Sequence, residues 1–357
     1  MHGQLKPGDL IFMDYEVLDL AGVGATSYVY RCRELHGSKR EVAVKVLHNR
    51  TTYDPVLRRR FLREARLIQC LDCENIVQIY DIIDAPGMVA FIMEHIDGPT
   101  LLEWQRETPG PRAAEELCSI FADVLQGIGH AHQRGILHCD LKPANIMLSS
   151  DPQGKTTAKI IDFGVARHVH DPPDPEDFKK IRGTAAYLSP DAIRSPYEVC
   201  EESDLYALGV ILYELASGAR PFTGRPASEI LQAHLNEEPA PLSQHNPDIS
   251  PALEEVILRT LAKRPEERFR NAEALRCALE HAVHVAYEIQ TLVWERSAPV
   301  PEAPKALHKR LHETLGCALR TCVDSLFQGL FGAEPAGLHV NSHHPINRPY
   351  ADLQFLI

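Results

Sequence analysis

His138-Cys139-Asp140-Leu141-Lys142-Pro143-Ala144-Asn145 puts an acid, a lysine two residues on and an asparagine five residues on into one short polar run. Apolar Ile136-Leu137 and Ile146-Met147-Leu148 flank it, which predicts a polar loop held between short strands. Further on, Lys159-Ile160-Ile161 leads into Asp162-Phe163-Gly164, a second acid at a strand end before a glycine. A carboxylate and an amide oxygen are hard-cation ligands, suited to Mg²⁺ with phosphate oxygens completing the shell. Asn145 and Asp162 supply that pair, and Asp140 is left over to take a proton. Taken singly, the pieces have ordinary readings as a capping Asp, a turn Asn and a turn Gly.

Upstream, Ala21-Gly22-Val23-Gly24-Ala25-Thr26-Ser27-Tyr28-Val29 places two glycines between strands, where backbone amides can approach an anion. Alone the motif is weak, and Ser27 stands where a third glycine is expected. Val42-Ala43-Val44-Lys45 sets a lysine in an apolar strand, which is costly unless a carboxylate pairs with it. Glu64, in the Arg-rich helical stretch Pro55–Leu71, is the natural partner; an edge-strand lysine facing water is the plain alternative. Around these, the first hundred residues alternate short β-branched runs with turns. From about 100 to 283 the periodicity turns helical, apart from a hairpin formed by 145–150 and 157–164. The fold class is therefore α+β, a β-rich lobe followed by a helical lobe.

The ordered series G-x-G-x-x-S-x-V, V-A-V-K, helix Glu, H-x-D-L-K-P-x-N and D-F-G resembles the eukaryotic-type, or Hanks-type, protein kinases, most closely the bacterial serine/threonine kinases. Gly183-Thr184-Ala185-Ala186-Tyr187-Leu188-Ser189-Pro190-Asp191, Asp204–Gly209 and Arg268-Phe269 continue the match, which covers about residues 12–283. The resemblance implies a two-lobed kinase fold, with lobes at 12–96 and 97–283, and transfer of the ATP γ-phosphoryl group to Ser/Thr hydroxyls of proteins. It implies that Gly22, Val23, Gly24 and Ser27 cover the ATP phosphates, and that Lys45, positioned by Glu64, holds the α- and β-phosphates. Val29 and Ala43 would cover the purine, Met93 would guard the back of its pocket, and backbone groups of Glu94 and Ile96 would bind its edge. Asp140 would orient the acceptor hydroxyl and Lys142 would stabilise the γ-phosphoryl charge. Asn145 and Asp162 would hold Mg²⁺, with Mn²⁺ as the alternative cation. Thr184 and the pair Asp191 and Arg268 would belong to the segment that seats the acceptor.

Three positions depart from the family: Cys139 where many members have Arg, Asp191 for Glu, and Ser27 for Gly. None removes a catalytic group. A regulatory scaffold lacking catalysis would be favoured by loss of Lys45, Asp140, Asn145 or Asp162, and all four are present. A small-molecule phosphotransferase is disfavoured by the 183–191 segment. With Cys139 in the Arg position and no Ser, Thr or Tyr from 165 to 182, no activating phosphate is expected there.

A net charge of −12 argues against nucleic acid as a general partner. Nine irregularly spaced cysteines point to free thiols in a cytoplasmic setting, and 18 scattered histidines to no metal site of their own. The lone Cys70–Cys73 pair is read as half-buried thiols. No apolar run is long enough to span a membrane. A helix end and Pro-rich linker occupy 284–304. Beyond it, 305–357 is read as an amphipathic helix over about 305–331 and an irregular tail, the helix docking on the kinase lobe or pairing with a second chain.

Overall fold

The computed structural model describes the backbone of residues 4–48, 52–151, 153–169, 183–195 and 198–296, and side chains as far as residue 284. The chain divides into two units, 1–283 and 284–357. The linker from 297, the expected helix at 305–331 and the acidic stretch 170–182 lie outside the described residues.

The N-terminal lobe is an antiparallel sheet in the order β1-β2-β3-β4-β6-β5. Its strands are β1 (Leu10–Ile11), β2 (Tyr15–Val23), β3 (Ser27–Glu34), β4 (Glu41–Leu47), β5 (Ile79–Ala85) and β6 (Met88–Glu94). β4 shows why the lobe closes as it does. Successive side chains of a strand point to opposite faces, and here both faces are apolar. Val42, Val44 and Val46 enter a core with Val17, Tyr30 and Ile92, while Ala43 and Leu47 enter another with Phe61, Phe91 and Met93. Lys45 shares the second face. Because β4 is paired on both sides, by β3 and β6, the edge-strand alternative for Lys45 falls away.

Helix α1 (Pro55–Gln69) packs on that second face. Asp54 caps it, accepting from the amides of Val56 at 2.8 Å and Leu57 at 3.2 Å, and Pro55 occupies the first turn, where no amide is needed. Phe61, Ala65 and Ile68 are buried at helical spacing, and Glu64 is buried among them. The apolar run that begins at Ile76 becomes β5 only at Ile79. Asn75 and Val77 are taken by Ile160 instead: Ile160 N donates to Asn75 O and Val77 N to Ile160 O, both at 2.9 Å.

The C-terminal lobe contains α2 (Leu101–Glu107), α3 (Ala114–Gln133), α4 (Pro190–Arg194), α5 (Glu201–Ser217), α6 (Ala227–Asn236), α7 (Pro251–Thr260) and α8 (Ala272–Arg296), with two antiparallel strand pairs. These pair β7 (Ile136–Leu137) with β10 (Arg167–His168), and β8 (Ile146–Ser150) with β9 (Thr156–Ile160). Helix α5 is apolar around nearly its whole circumference and is buried as the lobe's axis. α7 approaches it so closely that a Cβ at Gly209 would lie 2.1 Å from Thr260 Oγ1. Among the described residues, no helix is long and apolar enough to cross a membrane.

Two buried polar clusters hold the 183–194 segment to this lobe. Asp191 accepts from Arg268 at 2.6 Å, from Ser189 at 2.8 Å and from Ser203, while Arg268 also donates to Ala262 O and Glu202 O, each at 2.8 Å. The shorter Asp191 side chain therefore still reaches its arginine. His234, fully buried, accepts at Nδ1 from Tyr206 OH at 2.8 Å and donates from Nε2 to Ala186 O at 3.1 Å. Burial, reinforced by Lys263, pushes the imidazole down to about 4.

A depressed histidine stabilises the fold in its neutral state, so its contribution is complete above the unfolded value near 6.5 and is lost as pH falls towards 4. Unfolding free energy measured in urea should accordingly drop between pH 7 and 4.5 by about 2 kcal/mol more in the native chain than in His234→Gln. Equal pH slopes for the two would show that His234 titrates alike in both states.

Candidate active site

One lysine ties three elements together. Lys45 Nζ lies 2.5 Å from Glu64 Oε1 and 3.1 Å from Asp162 Oδ1, joining β4 and α1 to the loop after β9. Burial alone would lower the lysine's pKa, but the Glu64 and Asp162 charges outweigh it and raise the value. Glu64, the more buried acid, is pushed up by burial to about 7, against the opposing pull of Lys45. Burial also disfavours ionisation of Asp162, yet the Lys45 ammonium and the hydrogen bonds at its carboxylate hold it below the usual carboxylate range. Gly164 N donates to Asp162 Oδ1 at 3.1 Å, and a Cβ at Gly164 would come within 3.2 Å of that oxygen. A side chain at 164 would thus press on the carboxylate that its own amide holds.

The 138–145 loop folds around Asp140. Lys142 Nζ is 2.5 Å from Asp140 Oδ2 and 3.3 Å from Thr184 Oγ1, and Thr184 N donates to Asp140 Oδ1 at 2.9 Å. Asn145 Nδ2 donates to Asp140 O at 2.9 Å, which leaves its Oδ1 as an acceptor. Ile161 N donates to Asn145 O at 3.0 Å, so the asparagine and Asp162 are held one residue apart across neighbouring backbones.

Beneath this loop sits a carboxylate to which the sequence reading gave no role. Asp204, on α5 and 1% exposed, accepts from the amides of His138 at 2.8 Å and Cys139 at 2.9 Å. His132 Nε2 on α3 donates to the same carboxylate at 2.9 Å. Burial opposes its charge, but these donors win and lower its pKa. The signal was present: an acid inside an otherwise apolar helix needs buried donors. The fixed loop carries Cys139 at φ +64°, in the left-handed region, and sets the fully buried His138 ring 4.6 Å from that of Phe163, tilted by 46°. The Cys139 thiol is pushed up by burial and by Asp204, with Arg167 opposing, which suits a small neutral side chain rather than a reactive one.

The remaining predicted residues fall around the mouth of the cleft. Gly24 N donates to Ser27 O at 2.8 Å, closing the turn from β2 to β3; Ser27 is buried and Val23 exposed. Ala43 stands opposite Met93 in the β4–β6 register. Both are buried, as is Ile96, and Val29 is half-buried against the same core. Met147 and Ile161, which the sequence reading passed over, are half-buried there too. The Glu94 side chain is engaged by Lys159 at 2.6 Å, leaving only its backbone for a ligand. Gly98 pins the connection between lobes, since a Cβ there would lie 1.9 Å from Leu148 O.

Asp162 and Asn145 offer one carboxylate and one amide oxygen, a donor set that fits a hard divalent cation sharing oxygens with a phosphorylated ligand. No group of three or more His, Cys, Asp or Glu side chains suited to a metal occurs among the described residues. The cation would therefore depend on its ligand for the rest of its shell.

Residues 15–280 match the protein kinase domain family. The chain is 37% identical over 322 residues to serine/threonine-protein kinase PknB of Mycobacterium leprae, covering 89% of this chain and 47% of that protein. It is 39% identical over 272 residues to serine/threonine-protein kinase Pkn1 of Myxococcus xanthus, covering 74% and 38%. The chain thus spans about half or less of these curated relatives. Among solved structures, the kinase domain of Mycobacterium tuberculosis PknI superposes with a TM-score of 0.60 at 27% identity, covering 78% of this chain and all of that one.

Asp204→Asn exchanges a charged acceptor of three buried donors for an amide that must turn an N–H towards one of them. The expected cost is about 3 kcal/mol in denaturant unfolding, with faster hydrogen exchange at the His138 and Cys139 amides. Unchanged protection of those two amides would remove Asp204 as the anchor of the loop.

Proposed function

The chain belongs to the protein kinase domain family, and on that premise we propose that it transfers the γ-phosphoryl group of ATP to serine and threonine hydroxyls of protein substrates. The observation that carries this reading is the convergence of Lys45, Asp140, Lys142, Asn145 and Asp162 on one cleft, each already oriented by a partner. Phosphoryl transfer asks the protein for placement and charge more than for covalent chemistry.

Lys45, held between Glu64 and Asp162, binds the α- and β-phosphates. The turn at Gly22–Ser27 covers the phosphates, and Val29, Ala43, Met93 and Ile96 enclose the purine, whose edge meets the backbone of Glu94 and Ile96. Asp140 orients the acceptor hydroxyl and takes its proton as the bond to phosphorus forms. Lys142, within reach of both Asp140 and Thr184, neutralises charge gathering on the transferred group. Asn145 and Asp162 would hold Mg²⁺, or Mn²⁺ in its place, and the cation would supply charge neutralisation on the phosphate oxygens. Thr184 and the Asp191–Arg268 pair keep the acceptor-seating segment in register with the 138–145 loop.

Incubation with radiolabelled ATP and a generic basic protein tests the proposal. Native enzyme is expected to label serine and threonine, and Asp140→Asn and Lys45→Met are each expected to lose at least about a hundredfold in rate while retaining a cooperative unfolding transition. Equal background labelling by native and Asp140→Asn chains would instead mark a regulatory scaffold.

A further inference from the structure

Besides Lys45 and Asp162, a second ion pair crosses between the lobes. Lys159 Nζ, on β9, lies 2.6 Å from Oε1 of Glu94, the last residue of β6. The two side chains are 16% and 24% exposed, so water and salt screen their attraction less than at an open surface. Glu94 is also tied to its own lobe. Its amide donates to Gln78 O at 2.9 Å, and its Oε2 accepts from Gln78 N at 3.4 Å.

The pair completes a frame. Residues 94–99 connect the lobes, and both ends of this connector are fastened to the β8–β9 hairpin. Lys159 holds the Glu94 side chain at one end, and at the other Leu148 N donates to Pro99 O at 2.9 Å. Strand alternation sends Ala158 and Ile160 into the core and leaves Lys159 on the opposite face, across from Met147 in the β8–β9 register. Two residues further on is Ile161, whose amide donates to Asn145 O at 3.0 Å just before Asp162. One short hairpin therefore sets the connector, Met147, Asn145 and Asp162 relative to one another.

We propose that Lys159 is a positioning residue for the nucleotide, acting through Glu94. By fixing the start of the connector it holds the backbone of residues 94–96 where the purine edge is received, in register with Lys45 and Asp162 at the phosphate end. This inference rests on the nucleotide site proposed above. The pair works by placement and not by its field on the phosphates, since two opposite charges 2.6 Å apart largely cancel at a distance. Without the ammonium the connector keeps its anchor at Pro99 but loses the one at Glu94, and the ordering it lacks is supplied by the nucleotide at a cost in affinity.

Calorimetric titration of the full chain with ADP and Mg²⁺ tests the proposal without turnover. Lys159→Met and Glu94→Gln change the local charge in opposite senses, yet each is expected to raise Kd about tenfold, with no further rise in the double variant. Lys159→Arg, which keeps the ion pair, should stay within about twofold of the native Kd. In the unliganded chain, amide exchange at His95 and Ile96 should quicken in Lys159→Met while the urea midpoint is retained. Opposite changes of affinity in the two single variants would show a field effect and overturn the proposal. Native binding with unaltered Kd in both variants would overturn it alone and leave the kinase reading standing. Failure of the native chain to bind the nucleotide would overturn both.

Discussion

A single ammonium between a buried carboxylate and a half-exposed one governs this molecule. Lys45 sits on the face of β4 that looks towards α1, and burial of its charge is tolerable only with an acid beside it. Glu64 satisfies that demand from α1 and Asp162 from the far lobe, so one charge requirement fixes the helix, the strand and the loop after β9 relative to one another. Two acids share one lysine here, and the cost of sharing falls on Glu64, which burial and the neighbouring Asp162 push up to about 7 against the pull of Lys45. The arrangement is held by electrostatics that do not favour stability for its own sake; apolar residues would pack there at lower cost.

A second buried carboxylate, Asp204, does for the 138–145 loop what Lys45 does for the two lobes. It gathers two consecutive backbone amides and an imidazole, and so keeps Cys139 in a left-handed conformation and Asp140 turned towards Lys142 and Thr184. Such prior placement removes reorganisation from the reaction coordinate, which is where a phosphoryl-transfer site gains most of its rate.

Much of this was legible in the sequence because each motif carries its own physical necessity. A lysine in an apolar strand predicts an acid, and Glu64 was the one suitably placed. The apolar stretches 145–150 and 157–164 predicted the hairpin of β8 and β9, whose second strand runs over Thr156–Ile160 and stops short of the Asp162 turn. Less legible were features that depend on long-range packing. The late start of β5 follows from Ile160 capturing the backbone of Asn75 and Val77, a partner more than eighty residues away. Asp204 lay in a segment matched by family resemblance, but its donors come from α3 and from the 138–139 backbone, which no local pattern links.

The central claim is that the cleft positions ATP and an acceptor hydroxyl for one direct, in-line displacement, with no protein group bonded to phosphorus along the way. Transfer from ATP made chiral at the γ-phosphorus with oxygen isotopes and sulfur measures this directly. Inversion of configuration in the phosphorylated product is predicted. Retention would require two displacements through a phosphorylated side chain, and would contradict the roles given to Asp140 and Lys142.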